Sequence, residues 1–108
     1  MLKVDCNDEG IGKTFQVIEN GGIVIFPTDT VYGMGCNPYN VNAVEKIYEI
    51  KSREKIKPLP VLAYSLDTVK QIARIDTFTE KIIKKYWPGP LTLILELTDK
   101  KLKKSLKL

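Results

Sequence analysis

The chain contains no histidine. That absence excludes imidazole chemistry within it: no Ser-His or Cys-His nucleophile can be assembled, and no His ligand can complete a zinc site. Cysteine is nearly as scarce, with only Cys6 and Cys36, which stand too far apart for a zinc knuckle and read as reduced thiols rather than a disulfide or metal pair. Aromatic residues make up 8% of the chain and include a single tryptophan. Trp87 and its neighbour Tyr86 therefore read as core or interface packing rather than as a base-stacking platform. No apolar run approaches the roughly 20 residues that span a bilayer, and the first residues lack the basic, apolar and small-residue order of a signal peptide. The expectation is a cytoplasmic protein without a membrane partner.

What is present is a globular composition: 108 residues, 44% hydrophobic and 28% charged, enough for one domain with a small core. The net charge of +4 is unevenly distributed. Asp99 to Leu108 carries five lysines against one acid, whereas acidic and basic residues balance over the rest. This divides the chain into a body, residues 1–98, and a basic tail, residues 99–108. The tail reads first as a solvated or frayed terminus. The competing reading is contact with the phosphates of tRNA or double-stranded RNA, although five lysines without arginine or aromatics make a weak nucleic-acid signature.

Helices and strands alternate along the body. Asn7 or Asp8 caps a first helix with apolar positions Ile11, Phe15 and Ile18, ended by Asn20-Gly21-Gly22. Strand Ile23 to Phe26 follows, then a loop from Pro27 to Cys36, then a helix from Val41 to about Lys51 with Val44, Ile47, Tyr48 and Ile50 on its apolar face. Leu59 to Tyr64 reads as a second strand, and Ser65 caps a short helix carrying Leu66, Val69, Ile72 and Ala73. Thr77-Phe78-Thr79-Glu80 has capping-box spacing for a further helix, which Pro88 and Gly89 terminate. Leu91 to Leu97 reads as a core strand at an open sheet edge. The fold class is α/β, a twisted mixed sheet with flanking helices.

The chemistry concentrates at two places. The apolar run Gly22 to Phe26 opens directly into Pro27-Thr28-Asp29-Thr30-Val31-Tyr32-Gly33, where hydroxyls, a carboxylate and a phenol meet glycines. Thr28, Thr30 and Tyr32 offer three hydroxyls to an amino acid's carboxylate and side chain, while Gly33 and Gly35 permit close backbone approach. The competing reading is a capped turn in which Thr28 and Asp29 satisfy local amides. Asp29 reads as a fold-stabilising hydrogen-bond partner ahead of a water-mediated Mg²⁺ contact, and no metal ligands are assigned. Cations follow at Lys51, Arg53, Lys55 and Lys57. Lys51 and Arg53 diverge on a continuing helix and converge only if the helix ends near Lys51. Taken alone they complement a helix dipole; beside the Thr-Asp-Thr loop they read as an anion site.

These segments resemble the Sua5/YciO/YrdC family of L-threonylcarbamoyladenylate synthases. The resemblance is carried by Gly21-Gly22-Ile23-Val24 running into Pro27 to Gly33, by Lys51-Ser52-Arg53, by Lys57-Pro58-Leu59-Pro60-Val61-Leu62 and by Trp87-Pro88-Gly89-Pro90-Leu91-Thr92. It implies a YrdC-like fold and a nucleotidyltransferase that condenses L-threonine, bicarbonate and ATP, with Mg²⁺, into threonylcarbamoyl-AMP and diphosphate. The product would pass to threonylcarbamoyl transferase proteins that modify adenosine 37 of tRNA. By the same resemblance Lys51 and Arg53 are catalytic and bind nucleotide phosphates together with Lys57, and Thr28, Thr30 and Tyr32 hold the threonine end. The family's Ser-x-Asn element lies beyond this sequence, so the resemblance implies only the N-terminal part of the domain, shortened or inactive as it stands. The alternative is a noncatalytic YrdC-like fragment that binds RNA or a protein partner.

Overall fold

A computed structural model describes residues 3–28, 31–52 and 59–107. In chain order the elements are α1 (Asp8–Glu19), β1 (Val24–Pro27), β2 (Tyr32–Gly35), α2 (Val41–Lys51), α3 (Leu66–Ile72), α4 (Thr77–Tyr86) and α5 (Lys100–Leu106). The mixture of helix and strand expected of an α/β protein is present. The chain divides into two compact units, Met1–Pro58 and Leu59–Leu108.

In the first unit, each helix starts where a short polar side chain can satisfy an orphan amide. Asn7 is the α1 cap, its Oδ1 accepting from Gly10 N–H at 2.8 Å, and Asn40 caps α2 by accepting from Ala43 N–H at 3.0 Å. Gly21, at φ 81°, takes the left-handed position after α1. The strand after it, β1, borders α1 and pairs antiparallel with β2, in the register Val24↔Gly35, Ile25↔Met34, Phe26↔Gly33 and Pro27↔Tyr32. The expected loop from Pro27 to Cys36 is therefore largely a hairpin. Glycine-rich Tyr32–Gly35 has little strand propensity of its own and is held by the ladder with β1.

Burial in this unit centres on α2, where Ala43, Val44, Ile47 and Tyr48 are buried at the spacing of one helical face. Ile50, expected on that face, lies at its edge in the last turn of α2 and is 56% exposed. Ile11 and Phe15 of α1 are also exposed. The apolar stripe there is real in the sequence but stays largely uncovered.

In the second unit, Ser65 Oγ accepts from Thr68 N–H at 3.3 Å and caps α3. For α4 the cap is Asp76, which accepts from Thr79 N–H at 2.7 Å; Thr77, expected as the cap, is the first helical residue. Glu80 consequently makes no capping box and instead receives Lys70 at 3.1 Å and Lys84 at 3.3 Å. The helix stops at Tyr86, and Trp87 Nε1 donates to the Leu91 carbonyl at 2.8 Å, closing the Trp-Pro-Gly-Pro turn across a cis Trp87-Pro88 bond.

The basic segment is not a frayed end. Asp99 accepts from both Lys101 and Leu102 N–H, at 3.0 and 3.1 Å, and starts α5, which buries Leu102, Ser105 and Leu106. Its lysines sit on the remaining face, with Lys100, Lys101 and Lys104 exposed. Three leucine and serine positions at helical spacing outweigh the lysines between them, because long charged side chains keep their heads in water while the apolar face is covered.

Leu59–Tyr64 and Leu91–Leu97, expected as strands, form no ladder among the described residues. A single bridge joins Leu97 to Ala73. Both segments nevertheless alternate between half-buried and exposed at every second residue, which is the strand period.

Candidate functional site

The site residues expected from the sequence all fall in the first unit. Thr30, Arg53 and Lys57, with Asp29 and Lys55, lie outside the described residues; Thr28, Tyr32 and Lys51 lie within them. The hairpin register brings Thr28 and Tyr32 to the same tip: Tyr32 forms the last pair with Pro27, and Thr28 directly follows Pro27. Thr28 N–H donates to the Val31 carbonyl at 3.1 Å, and Val31 N–H donates to Thr28 Oγ1 at 3.2 Å. The Thr28 hydroxyl also donates to the Val31 carbonyl, so part of its hydrogen-bonding capacity closes the hairpin. The Tyr32 side chain is different: the residue is 76% exposed beside the tip, with its phenol open to solvent.

The glycines of the motif serve packing. A Cβ on Gly33 would lie 2.8 Å from the Phe26 ring, and one on Gly35 would lie 3.1 Å from it. Phe26 lies over both backbones, so the close approach these glycines permit is made by an aromatic ring from the neighbouring strand rather than left for a ligand. Just beyond, Cys36 is half-buried with a free thiol, and burial pushes that thiol's pKa up. An inert thiol is what such an environment produces.

At the cationic corner, α2 ends at Lys51, an exposed last helical residue. Ser52 follows in the left-handed region, φ 50° and ψ 36°, with its N–H bonded back to the Glu49 and Tyr48 carbonyls. The helix thus ends at Lys51, where the sequence reading places its end. A left-handed non-glycine residue is uncommon and concentrates at functional turns. Ser52 belongs to the Lys51-Ser52-Arg53 element, but its left-handed turn was not legible in the sequence, because serine is not the usual residue at a helix stop.

Lys51 is an exposed cation in the last turn, where it complements the α2 dipole. A polar hollow before α1 carries mixed charge instead, lined by Lys3, Asp5, Asn7, Glu9 and Lys13, with Lys13 paired to Glu9 at 3.4 Å. Among the described residues no three His, Cys, Asp or Glu side chains come together to hold a metal ion.

The comparisons with known proteins agree with one another. The family profile described as "Sua5_yciO_yrdC: Telomere recombination" matches residues 16–107, a span that takes in the basic segment as well as the motifs. A Pyrococcus abyssi protein named threonylcarbamoyl-AMP synthase is 43% identical over 83 residues, covering 76% of this chain and 24% of the relative. Two P. abyssi Sua5 structures superimpose on it. One, a doubly substituted variant, has a TM-score of 0.78 at 30% identity, over 94% of this chain and 38% of that one. The other, complexed with L-threonine, has a TM-score of 0.72 at 26% identity, over 96% and 38%. The chain thus spans half the length or less of the relatives it matches. With its motifs, its fold and a match over most of its length in agreement, the chain belongs to the Sua5/YciO/YrdC family.

Proposed function

We propose that this chain forms the part of an L-threonylcarbamoyladenylate synthase that receives L-threonine and the phosphates of ATP. The observation that carries this reading is the similarity of its fold, over 96% of its length, to a Sua5 structure complexed with L-threonine. Helix α2 ending at Lys51, with Ser52 turning the backbone, adds support.

The chemistry suits the residues. The amine of threonine and bicarbonate form a carbamate with loss of water; the carbamate is already anionic. Its oxygen attacks the α-phosphorus of ATP, and diphosphate leaves. No protein base is required, in keeping with a chain that has no histidine. What the protein must supply is charge neutralisation and in-line positioning. Arg53 grips phosphate oxygens through its planar fork, and Lys51 and Lys57 act as point charges. Thr28, Thr30 and Tyr32 hold the carboxylate and hydroxyl of threonine. The product passes in the cytoplasm to threonylcarbamoyl transferase proteins acting on tRNA.

Calorimetric titration of the chain with ATP and, separately, L-threonine tests the reading. Arg53→Ala is expected to weaken ATP binding roughly tenfold or more, as loss of a charge-assisted contact does, while leaving threonine binding intact. Tyr32→Phe should do the reverse. ATP affinity unchanged in both Arg53→Ala and Lys51→Ala would overturn the assignment. Diphosphate release that needs threonine, bicarbonate and ATP together would extend it to turnover.

A second reading has one observation in its favour: α5 is ordered and turns Lys100, Lys101 and Lys104 to solvent. Under it the chain contacts RNA phosphates without catalysis. Its signature is tRNA binding that weakens steeply with salt, with a slope that falls when these lysines are replaced by glutamine.

A further inference from the structure

Helices α1 and α4 turn apolar faces to solvent, and the charges beside those two faces are opposite. Helix α1 is buried or half-buried at Gly10, Thr14, Val17 and Ile18, which form its packed side. Next to that side stand Ile11 and Phe15, one helical turn apart and both exposed, Phe15 by 61%. Asp8 and Glu19 fall on the same face, three residues before Ile11 and four after Phe15, so two exposed acids bracket the apolar pair. Lys13, the basic residue of this helix, lies on the other side, paired with Glu9 at 3.4 Å. A Cβ at Gly12 would meet nothing within 4 Å, which leaves room for a close neighbour.

In α4 the buried residue is Ile83, and Phe78, Ile82 and Tyr86 follow one another at four-residue spacing on another side of the helix. Phe78 is 71% exposed, Tyr86 is exposed and Ile82 is half-buried. Lys81 and Lys85 run alongside, both exposed, with the Lys85 ammonium 5.4 Å from the centroid of the Tyr86 ring. Glu80, the acid of this helix, is engaged elsewhere, by Lys70 and Lys84. Asp8, Glu19, Lys81 and Lys85 form no ion pair among the described residues. Exposed aromatic residues bordered by charge of one sign have the composition of an interface.

We infer that these faces meet between molecules: α1 of one chain lays Ile11 and Phe15 against Phe78, Ile82 and Tyr86 of α4 in a second copy, with Asp8 and Glu19 beside Lys81 and Lys85. Charge selects the occupant. Every copy carries both halves of the contact, and pairing α1 with α1 or α4 with α4 would set acid against acid or lysine against lysine. Acidic and basic residues balance over residues 1–98, so two bodies approach without net repulsion between them. The inference is independent of catalysis.

Sedimentation equilibrium of the full chain over a range of concentrations tests it. The expected result is reversible self-association that weakens as salt rises. Lys81→Glu with Lys85→Glu, and separately Asp8→Lys with Glu19→Lys, should each weaken it about tenfold or more, and mixing the two variants should restore it, because each then meets a complementary face on the other. If circular dichroism shows α1 lost in the second variant, Glu19→Lys alone takes its place, since a cation suits the last turn of a helix. Phe15→Ser and Phe78→Ser should also weaken association about tenfold or more while helical circular dichroism stays unchanged, as both rings already face solvent. Lys13→Ala should associate as the unchanged chain does. A chain that is monomeric at every concentration overturns the inference, as does association that survives both charge reversals or that mixing fails to restore. Self-association of the expected kind in a chain that binds no ATP would leave the inference standing while the functional reading fails.

Discussion

The β1–β2 hairpin and the Leu91–Leu97 segment are opposites. In the hairpin all the paired residues from Val24 to Pro27 have partners, yet Ile25, Val31 and Tyr32 at or beside it remain 58%, 71% and 76% exposed. In Leu91–Leu97 the leucines are half-buried, but Thr92 to Leu95 pairs with nothing among the described residues. Pairing and burial are thus separate achievements. A tight connection makes the first almost unavoidable for β1 and β2, because Thr28 and Val31 close the turn locally. Burial depends on what else is folded nearby, and in Leu91–Leu97 only the leucine face is half-buried.

The contrast can be broken first at α5, the element that shows burial most strongly. Leu102 is 1% exposed, so Leu102→Ala is expected to cost about 2–5 kcal/mol in urea unfolding. Ile94, at 99% exposure, should change by no more than about 0.5 kcal/mol when replaced by Ser. Comparable losses at the two positions would mean that Leu91–Leu97 is covered on both faces after all.

On the hairpin, Gly33→Ala drives a methyl group toward the Phe26 ring and should cost about 1–3 kcal/mol, with altered Phe26 ring resonances in the NMR spectrum. An unaffected spectrum would show that the ring does not lie over the glycines. Replacing Asn40 with alanine removes the cap of α2 and should cost about 1 kcal/mol. Because α2 ends at the cationic corner, the same variant reports whether that corner depends on helix stability. ATP affinity unchanged with α2 frayed would separate the two.

The smallest effect is expected in acid. Hydrogen bonds from Thr79 hold the Asp76 carboxyl below the usual aspartate value of 3.8, and Lys70, then Lys84, hold Glu80 below 4.5. Groups whose pKa is lower in the folded chain stabilise it above their unfolded values and lose that contribution as pH falls through the folded values. The helix α4 should therefore weaken below about pH 4. Asp76→Asn keeps an acceptor without a titrating group, so its α4 should lose less on acidification, measured by helical circular dichroism. An identical acid response would show that the Asp76 cap does not contribute.

Much was legible without coordinates, and its physical range explains why. Asn7, Asn40 and Ser65 each cap a helix through an amide three residues away, so the starting points of α1, α2 and α3 are written in local sequence. The two candidate segments are marked by the same kind of local signal: a short polar motif after an apolar run, and cations where a helix stops. Thr77 misled because Asp76, one residue earlier, competes for the same amides with a charged acceptor.

The sequence by itself determined where helices start, which residues carry hydroxyls and cations, and the absence of imidazole chemistry, because these depend on neighbours along the chain. The tertiary structure decided what depends on distant partners: that glycine-rich Tyr32–Gly35 becomes a strand, that Phe26 occupies the space over Gly33 and Gly35, and that a lysine-rich segment folds into a buried-faced helix. It also decided that strand-like Leu59–Tyr64 remains unpaired among the described residues. A side chain's own propensity is worth a fraction of a kcal/mol, whereas a covered face or a completed ladder is worth several, and only the folded chain can say which of these is present.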